Sequence, residues 1–321
     1  ILSQRNNRRQ FFIQDSSINM ETSKRRMVSS NGADEAALER SYSVAPPIDV
    51  ATAERLVKEA KQIMDQLGVA FFLRQGTCLG AIRDKGFMPW DDDVDLGSII
   101  GLHGFTEQTI ETVASAFRDN GYFATIEHND HYINVAMMKS STRIDWTSYR
   151  IIDDSIAHYP GLRIPAKLFA RLKEIDFIGA KFLVPNPPEE YLRFKYGPEW
   201  MTPKKPGGFE KDTLEMVHDV SPSDSSKRMS QRGAGKLRVL DHENEPVFGA
   251  EVRIAGVGRS TTNKLGYTKF YLPADDWYAL VIKYDNHEEV LYMEKMTQGQ
   301  TYIYRPDPSI ESGRSCVLST E

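Results

Sequence analysis

Apolar residues fall into two different rhythms along the chain, and the change between them divides it. Leu56, Val57, Ala60, Ile63, Met64 and Leu67 form one stripe at helical spacing, stopped by Gly68, and predict a helix over 52–67. A short apolar run at Val69–Leu73 predicts a buried strand, broken at Gly76-Thr77, and the first turns of another helix follow at Cys78–Arg83. From Asp91 to Ile99 acidic and apolar residues alternate with the period of a strand. Ile110, Val113, Ala114 and Phe117 mark the inner face of a helix at about 106–120, and strands are expected at 122–127, 132–138 and 143–149. Together these predict a mixed α/β domain flanked by helices.

After residue 235 the helical rhythm stops. Short alternating runs appear at 237–240, 251–255, 267–272, 278–284, 290–294 and 301–304, separated by turn signals such as Asn244-Glu245-Pro246 and Asn263–Gly266. That spacing predicts a small antiparallel β-sandwich. The expected division is a flexible polar segment at 1–47, a catalytic α+β domain at 48–220, a Ser/Arg/Gly-rich linker at 221–235, the sandwich at 236–306 and a tail at 307–321.

Composition narrows the function classes. The 321 residues carry 40 Lys and Arg against 45 Asp and Glu, a net charge of −5, with no basic face of the kind that nucleic acid requires. The basic clusters at Arg5–Arg9 and Lys24–Arg26 lie in the polar segment and read as solvated charge. Cys78 and Cys316 stand in different domains, which argues against a disulfide framework and fits a reducing, cytoplasmic setting. No apolar run approaches the ~20 residues of a membrane span, and no signal-peptide core is visible. The chain begins at Ile1, so a targeting segment could precede it.

The chemistry concentrates in one place. Asp91, Asp92, Asp93 and Asp95 fall within five residues, interleaved with Trp90, Val94 and Leu96, so the segment is expected to be partly buried rather than a solvated acidic loop. On an extended strand residues 91, 93 and 95 point to one side at about 7 Å intervals. Crowded carboxylates need a cation to stay ionised, and hard oxygen ligands select Mg²⁺ or Mn²⁺. A calcium loop of the EF-hand type is excluded, because positions six and twelve counted from Asp91 are Leu96 and Leu102. Asp145, an acid flanked by apolar residues on another expected strand, is the candidate third carboxylate to complete the metal site and activate an acceptor hydroxyl, although on its own it reads equally well as a strand-end aspartate making an ordinary hydrogen bond. Gly76 and Thr77, between a strand and a helix, are expected to cradle phosphate, with Arg83 and Lys85 neutralising further phosphate charge.

The run from Arg74-Gln75-Gly76-Thr77 through Gly80-Ala81-Ile82-Arg83-Asp84 to Pro89-Trp90-Asp91-Asp92-Asp93-Val94-Asp95 resembles the signature of the LicD/fukutin-related family. The segment Glu190–Pro203 resembles that family's second, weaker block, so the resemblance covers about residues 52–206. Cys78 departs from it, standing where an aliphatic residue is usual. The resemblance implies a polymerase-β-like nucleotidyltransferase fold. It further implies transfer of phosphocholine or an alditol phosphate from a CDP-linked donor to a saccharide hydroxyl. Asp93 and Asp95 would be the central catalytic pair, joined by Asp145, with metal held by Asp91, Asp93, Asp95 and Asp145. Two other readings stay open: a glycosyltransferase that uses Asp93-Val94-Asp95 as a sugar-nucleotide metal motif, and a non-catalytic binding protein. The C-terminal region resembles carboxypeptidase-regulatory-like sandwiches, which implies an accessory module for a saccharide or a partner.

Overall fold

The computed structural model describes residues 32–204, 208–217, 234–307 and 314–321. Residues 1–31 and the expected linker over 221–233 lie outside the described residues.

Helix α2 (Val50–Gln66) starts where the Asp49 carboxylate accepts the Thr52 amide, and its predicted stripe is buried from Leu56 to Met64 along with Ala53, while Leu67, just past its end, is half-buried. It packs against α4 (Thr109–Asp119), whose inner face is Ile110, Val113, Ala114 and Phe117. Both cover a five-stranded mixed sheet of β1 (Phe72–Leu73), β2 (Asp93–Ile99), β3 (Phe123–His128), β4 (Tyr132–Lys139) and β5 (Thr142–Tyr149), in the order β1-β2-β5-β4-β3. The β2–β5 pair is parallel and the other pairs are antiparallel. Every residue of β5 is buried, so its two faces do different work. Ile144 and Trp146 enter the main core, the indole donating to the Ser98 hydroxyl. Arg143 and Asp145, at alternating positions, face the other way.

That second face is covered by α1 (Glu35–Val44), a helix inside the stretch expected to be flexible. The helix forms because Asp34 caps it through the Ala37 amide. Its Ala37 and Leu38 pack on Ala136 and Met138 of β4, forming a small cluster separate from the main core. Hairpins follow at β6 (Ile151–Ile152), β7 (Ser155–His158) and β8 (Leu162–Pro165), then β9 (Lys173–Phe177) with β10 (Ala180–Val184). Helix α5 (Pro188–Tyr196) and helix α6 (Gly208–Met216) complete the unit. Tyr191 and Trp200, from the Glu190–Pro203 segment, join the core.

The C-terminal strands are β11 (Ala234–Val239), β12 (Glu251–Ile254), β13 (Gly258–Thr261), β14 (Tyr267–Tyr271), β15 (Asp276–Tyr284), β16 (His287–Met296), β17 (Thr301–Tyr304), β18 (Arg314–Ser315) and β19 (Ser319–Thr320). They form two sheets, β14-β11-β17-β19 and β13-β12-β15-β16-β18, around a shared core that includes Leu237, Val252, Leu280, Leu291 and Tyr302. The pairing is not wholly antiparallel: β11–β17 and β16–β18 run parallel. The expected tail instead returns to the sheets, where buried Glu294 accepts the Val317 and Leu318 amides.

The two units are joined by an apolar cluster of Leu162, Leu214 and Val217 with Ala255, Ala279 and Val290. Asp276 at the start of β15 accepts from the Tyr132 hydroxyl at 2.9 Å and from Asn129 at 3.1 Å. No helix among the described residues is long and apolar enough to cross a membrane.

Candidate active site

Register builds the acidic site. The parallel pairing of β2 with β5 sets Arg143 opposite Asp93 and Asp145 opposite Asp95, so side chains far apart in sequence share one patch. The strand begins only at Asp93, however. Asp91 and Asp92 lie in the preceding turn, where the Asp91 carbonyl accepts the Ile48 amide at 2.8 Å. The expectation that residues 91, 93 and 95 share one extended strand is corrected accordingly. The turn brings one carboxylate oxygen of each of Asp91, Asp92 and Asp93 within 4.8 Å of one another. Val94 and Leu96 are buried as expected, but Trp90 is 56% exposed because it lies in that turn, outside the sheet.

Two buried guanidinium groups answer part of this negative charge. Arg74 pairs with Asp95 at 2.9 Å. Arg143 bridges Asp92 at 2.8 Å, Asp93 at 2.5 Å and Asp145 at 3.1 Å. Five carboxylates therefore face two fixed cations. Burial and like charge raise Asp91 well above the ordinary carboxylate range and lift Asp92 to about 6. Burial pushes Asp95 up to about 8 against the pull of Arg74, and it raises Asp145 despite Arg143. The buried Oδ2 of Asp91 has no hydrogen-bond partner among the described residues. A partnerless buried carboxylate oxygen beside two more carboxylates is a donor set fit for a hard divalent cation.

The Gly-Thr turn supports this cluster from behind. Helix α3 (Gln75–Leu79) runs into a π turn at Gly80–Asp84. A Cβ on Gly76 would stand 2.5 Å from Asp91 Oδ2, so the missing side chain makes room for that carboxylate. The Thr77 hydroxyl, almost fully buried, accepts the Asp95 amide at 2.9 Å. Both residues thus contact the aspartates directly. Arg83 and Lys85 do not: Arg83 pairs with Asp84 and approaches the Met88 sulfur, while Lys85 donates to the Ile82 carbonyl.

Gln75 was not singled out from the sequence, yet it is central. It holds a left-handed backbone (φ 41°), an uncommon conformation for a residue with a side chain, while its amide side chain donates to Asp95 at 3.1 Å. The Gln75 N–H donates to the Tyr191 hydroxyl at 2.9 Å, and that hydroxyl lies 3.2 Å from His158 Nε2. His158 Nδ1 lies 3.1 Å from the Tyr159 carbonyl, which fixes the tautomer with the proton on Nδ1 and leaves Nε2 to accept from Tyr191. Burial, with Lys195 nearby, holds His158 well below its usual range, so the imidazole stays neutral in this relay.

Asp145 has its own setting. Asn134 on β4 donates to its Oδ1 at 3.3 Å and accepts from Thr147. The Tyr42 hydroxyl of α1 donates to the same oxygen at 3.3 Å. Arg143 carried a legible signal, since alternation places it beside Asp145 on one face, whereas Asn134 comes to Asp145 only through the pairing of β4 with β5. Tyr42, 103 residues away, carried none.

The family described as LicD/FKTN/FKRP, nucleotidyltransferase domain matches residues 68–187. Over 165 residues the chain is 27% identical to the ribitol-5-phosphate transferase FKTN of Macaca fascicularis, covering 48% of this chain and 34% of that protein. The ribitol 5-phosphate transferase FKRP of Mus musculus is 24% identical over 164 residues, 48% of this chain and 33% of that one. The lipopolysaccharide cholinephosphotransferase LicD of Haemophilus influenzae is 47% identical over a short stretch of 34 residues, 11% of this chain and 13% of that protein. The chain thus spans about a third or less of the length of these relatives. Residues 68–187 of this chain carry a LicD/FKTN/FKRP domain.

Proposed function

We propose that this domain transfers a phosphorylated group, phosphocholine or an alditol phosphate, from a CDP-linked donor to a hydroxyl of a saccharide. The observation that carries the reading is the in-register placement of Asp93 and Asp95 beside Asp145, next to the partnerless Asp91 oxygen. Similarity to transferases named for ribitol phosphate and phosphocholine supports the substrate class. The mixed sheet supports a polymerase-β-like nucleotidyltransferase fold, and the paired C-terminal sheets support an accessory sandwich.

Asp91 and Asp93, with Asp92 or Asp95 beside them, would hold Mg²⁺ or Mn²⁺, which when bound neutralises charge on the transferring phosphoryl group. Asp145 takes the proton from the acceptor hydroxyl. The acceptor oxygen forms a bond to the phosphorus that bears the headgroup, the anhydride bond to the CMP phosphate breaks, and CMP leaves. Arg143 and Asn134 hold the Asp145 carboxylate in place. Arg74 and Gln75 fix Asp95, and Gly76 gives Asp91 its room.

Thermal shift with CDP-choline, CDP-glycerol, CDP-ribitol, CMP and UDP-sugars, each with and without Mg²⁺, tests the proposal. A ligand at about 100 times its dissociation constant stabilises the native state by roughly 2.7 kcal/mol. The expected result is an Mg²⁺-dependent shift with one CDP compound that is lost in Asp93→Asn. A shift with UDP-sugars alone would replace this reading with a glycosyltransferase.

A further inference from the structure

The Tyr42 side chain packs against the small apolar cluster under α1 and also reaches past it into the acidic site. Its hydroxyl donates to Asp145 Oδ1 at 3.3 Å, and its ring lies 4.3 Å from the Arg143 guanidinium carbon. Trp277, from the start of β15 in the other unit, approaches the same ring at 5.6 Å with the planes inclined at 32°. Ser41, one residue earlier, accepts from Arg143 at 3.2 Å. A six-membered ring bordered by an indole and a guanidinium, with its hydroxyl on a carboxylate, is how a protein holds a sugar ring and aims one of its hydroxyls at a base.

We propose that the slot formed by Asp145, Arg143 and Trp277 is the acceptor subsite for a saccharide or polyol hydroxyl, and that α1 fills it with Tyr42 as a built-in stand-in. The proposal rests on the transferase reading, in which Asp145 takes the acceptor's proton. It goes further by giving the C-terminal unit a part in acceptor selection through Trp277 and by making the present arrangement a self-occluded one.

The way α1 is attached fits such a role. Its apolar anchor is the small cluster of Ala37 and Leu38 with Ala136 and Met138, apart from the main core, with Tyr42 itself packed against it. The helix ends at Ala45 in a left-handed conformation (φ 43°), followed by Pro46-Pro47, so a defined break separates it from α2. Beyond the break the Ile48 amide is tied to the Asp91 carbonyl at 2.8 Å. The segment therefore crosses the acidic site, tied to the Asp91 carbonyl at one end and to Arg143 and Asp145 through Ser41 and Tyr42 at the other. Trp277 is in turn fixed from its own side. Its neighbour Asp276 accepts from Tyr132 and Asn129, and Lys295, which stands 5.6 Å from the indole, pairs with Glu127. The wall of the slot stays in place when α1 lifts.

The test measures CMP release by the full chain with Mg²⁺ and each of CDP-ribitol, CDP-glycerol and CDP-choline, against rising glycerol as the probe acceptor. Tyr42→Ala and Tyr42→Phe are compared with the unaltered chain, and Trp277→Ala is made in the Tyr42→Ala background. Tyr42→Ala is expected to raise glycerol-dependent release by about tenfold, the scale of one hydrogen bond and one ring contact removed from competition. Tyr42→Phe, which keeps the ring but loses the hydroxyl on Asp145, should fall between the two. Trp277→Ala should then raise the glycerol concentration needed for half-maximal rate. If the unaltered chain releases CMP and Tyr42→Ala is no faster, or is slower, Tyr42 supports Asp145 rather than standing in for the acceptor, and the proposal is overturned while the transferase reading survives. If no form releases CMP from any donor, both fall together.

Discussion

Gly76→Ala separates the fold from the chemistry. Gly76 lies in α3 with no positive φ, so alanine is permitted by the backbone and, on helix propensity, favoured by up to about 1 kcal/mol. The conflict lies elsewhere. The new methyl carbon would stand 2.5 Å from Asp91 Oδ2, 2.9 Å from Oδ1 and 3.0 Å from Cγ. Ordinary contact begins near 3.4 Å, so the carboxylate must retreat by about 0.9 Å, and a displacement of about 1 Å in a catalytic constellation costs on the order of 10²-fold in rate. Asp91 sits in a turn with one oxygen unpartnered, so it yields before the helix does. The expected outcome is a protein whose melting temperature is equal to or slightly above that of the unaltered chain. Its CMP release at saturating Mg²⁺ should fall roughly a hundredfold, with more Mg²⁺ needed to reach half of the remaining rate. Differential scanning calorimetry and a CMP-release titration decide the matter. A variant within threefold of the unaltered rate, with the same Mg²⁺ dependence, would remove Asp91 from the machinery.

Asp93→Asn and Asp95→Asn should each abolish turnover with little loss of folding, read by CMP release beside circular dichroism; a near-normal rate in either would sink the assignment of that residue. Thr77→Val removes the acceptor for the buried Asp95 amide at nearly constant shape, and should cost about 1–3 kcal/mol in urea unfolding. An unchanged midpoint would show that the amide finds another partner. In metal-free protein Asp92 lies at about 6 and Asp95 at about 8, both above the unfolded carboxylate value of about 3.9, so the folded chain holds protons that the unfolded chain has released. The stability these groups contribute is complete below about pH 4 and is lost as pH rises through about 8. EDTA-treated protein should therefore gain more from added Mg²⁺ at pH 8.5 than at pH 6, by thermal shift, and the reverse order would refute it.

Much of the secondary structure was legible because it follows one rule at a time. The stripe of α2, the inner face of α4 and the alternation of β2 and β5 are local patterns, and they fold as they read. β13 escaped notice because Gly258-Arg259-Ser260-Thr261 buries no side chain and so has no apolar alternation to betray it. The expected strand at 69–73 shortens to Phe72–Leu73, since those two residues alone pair with β2, although Val69 and Phe71 are buried. Helix α1 was hidden by its surroundings: Ala37 and Leu38 are its only fully apolar contacts with the sheet among the described residues, and the rest of its hold comes from Ser41 and Tyr42, whose partners lie far off in the chain. In the site, the aspartates were legible, as was Arg143, which alternation sets beside Asp145 on one strand, but the long-range partners were not. Arg74 meets Asp95 only through the fold of the chain between them, and Arg143 reaches Asp92 and Asp93 only through the pairing of β2 with β5.

How the cations are distributed also suggests how the two substrates divide the site. Asp95 is answered by Arg74, and Asp145 by Arg143, which it shares with Asp92 and Asp93, so the Asp95–Asp145 side of the patch is better compensated than the Asp91 side and suits a neutral group such as a hydroxyl. Asp91 has a partnerless oxygen and no guanidinium within pairing distance among the described residues, so that side still demands positive charge and suits phosphate carried in with a divalent ion. Asp93 lies between, bonded to Arg143 and also within the Asp91–Asp92 group. On the proposed reading the donor enters at the uncompensated end and the acceptor at the compensated end, which sets the attacking and leaving oxygens on opposite sides of the phosphorus. The same asymmetry explains why α1 rests a neutral phenol on Asp145 and not a lysine. A cation there would crowd the Arg143 guanidinium, whose carbon lies 4.3 Å from the Tyr42 ring, whereas a hydroxyl donates one hydrogen bond and leaves the charge unchanged.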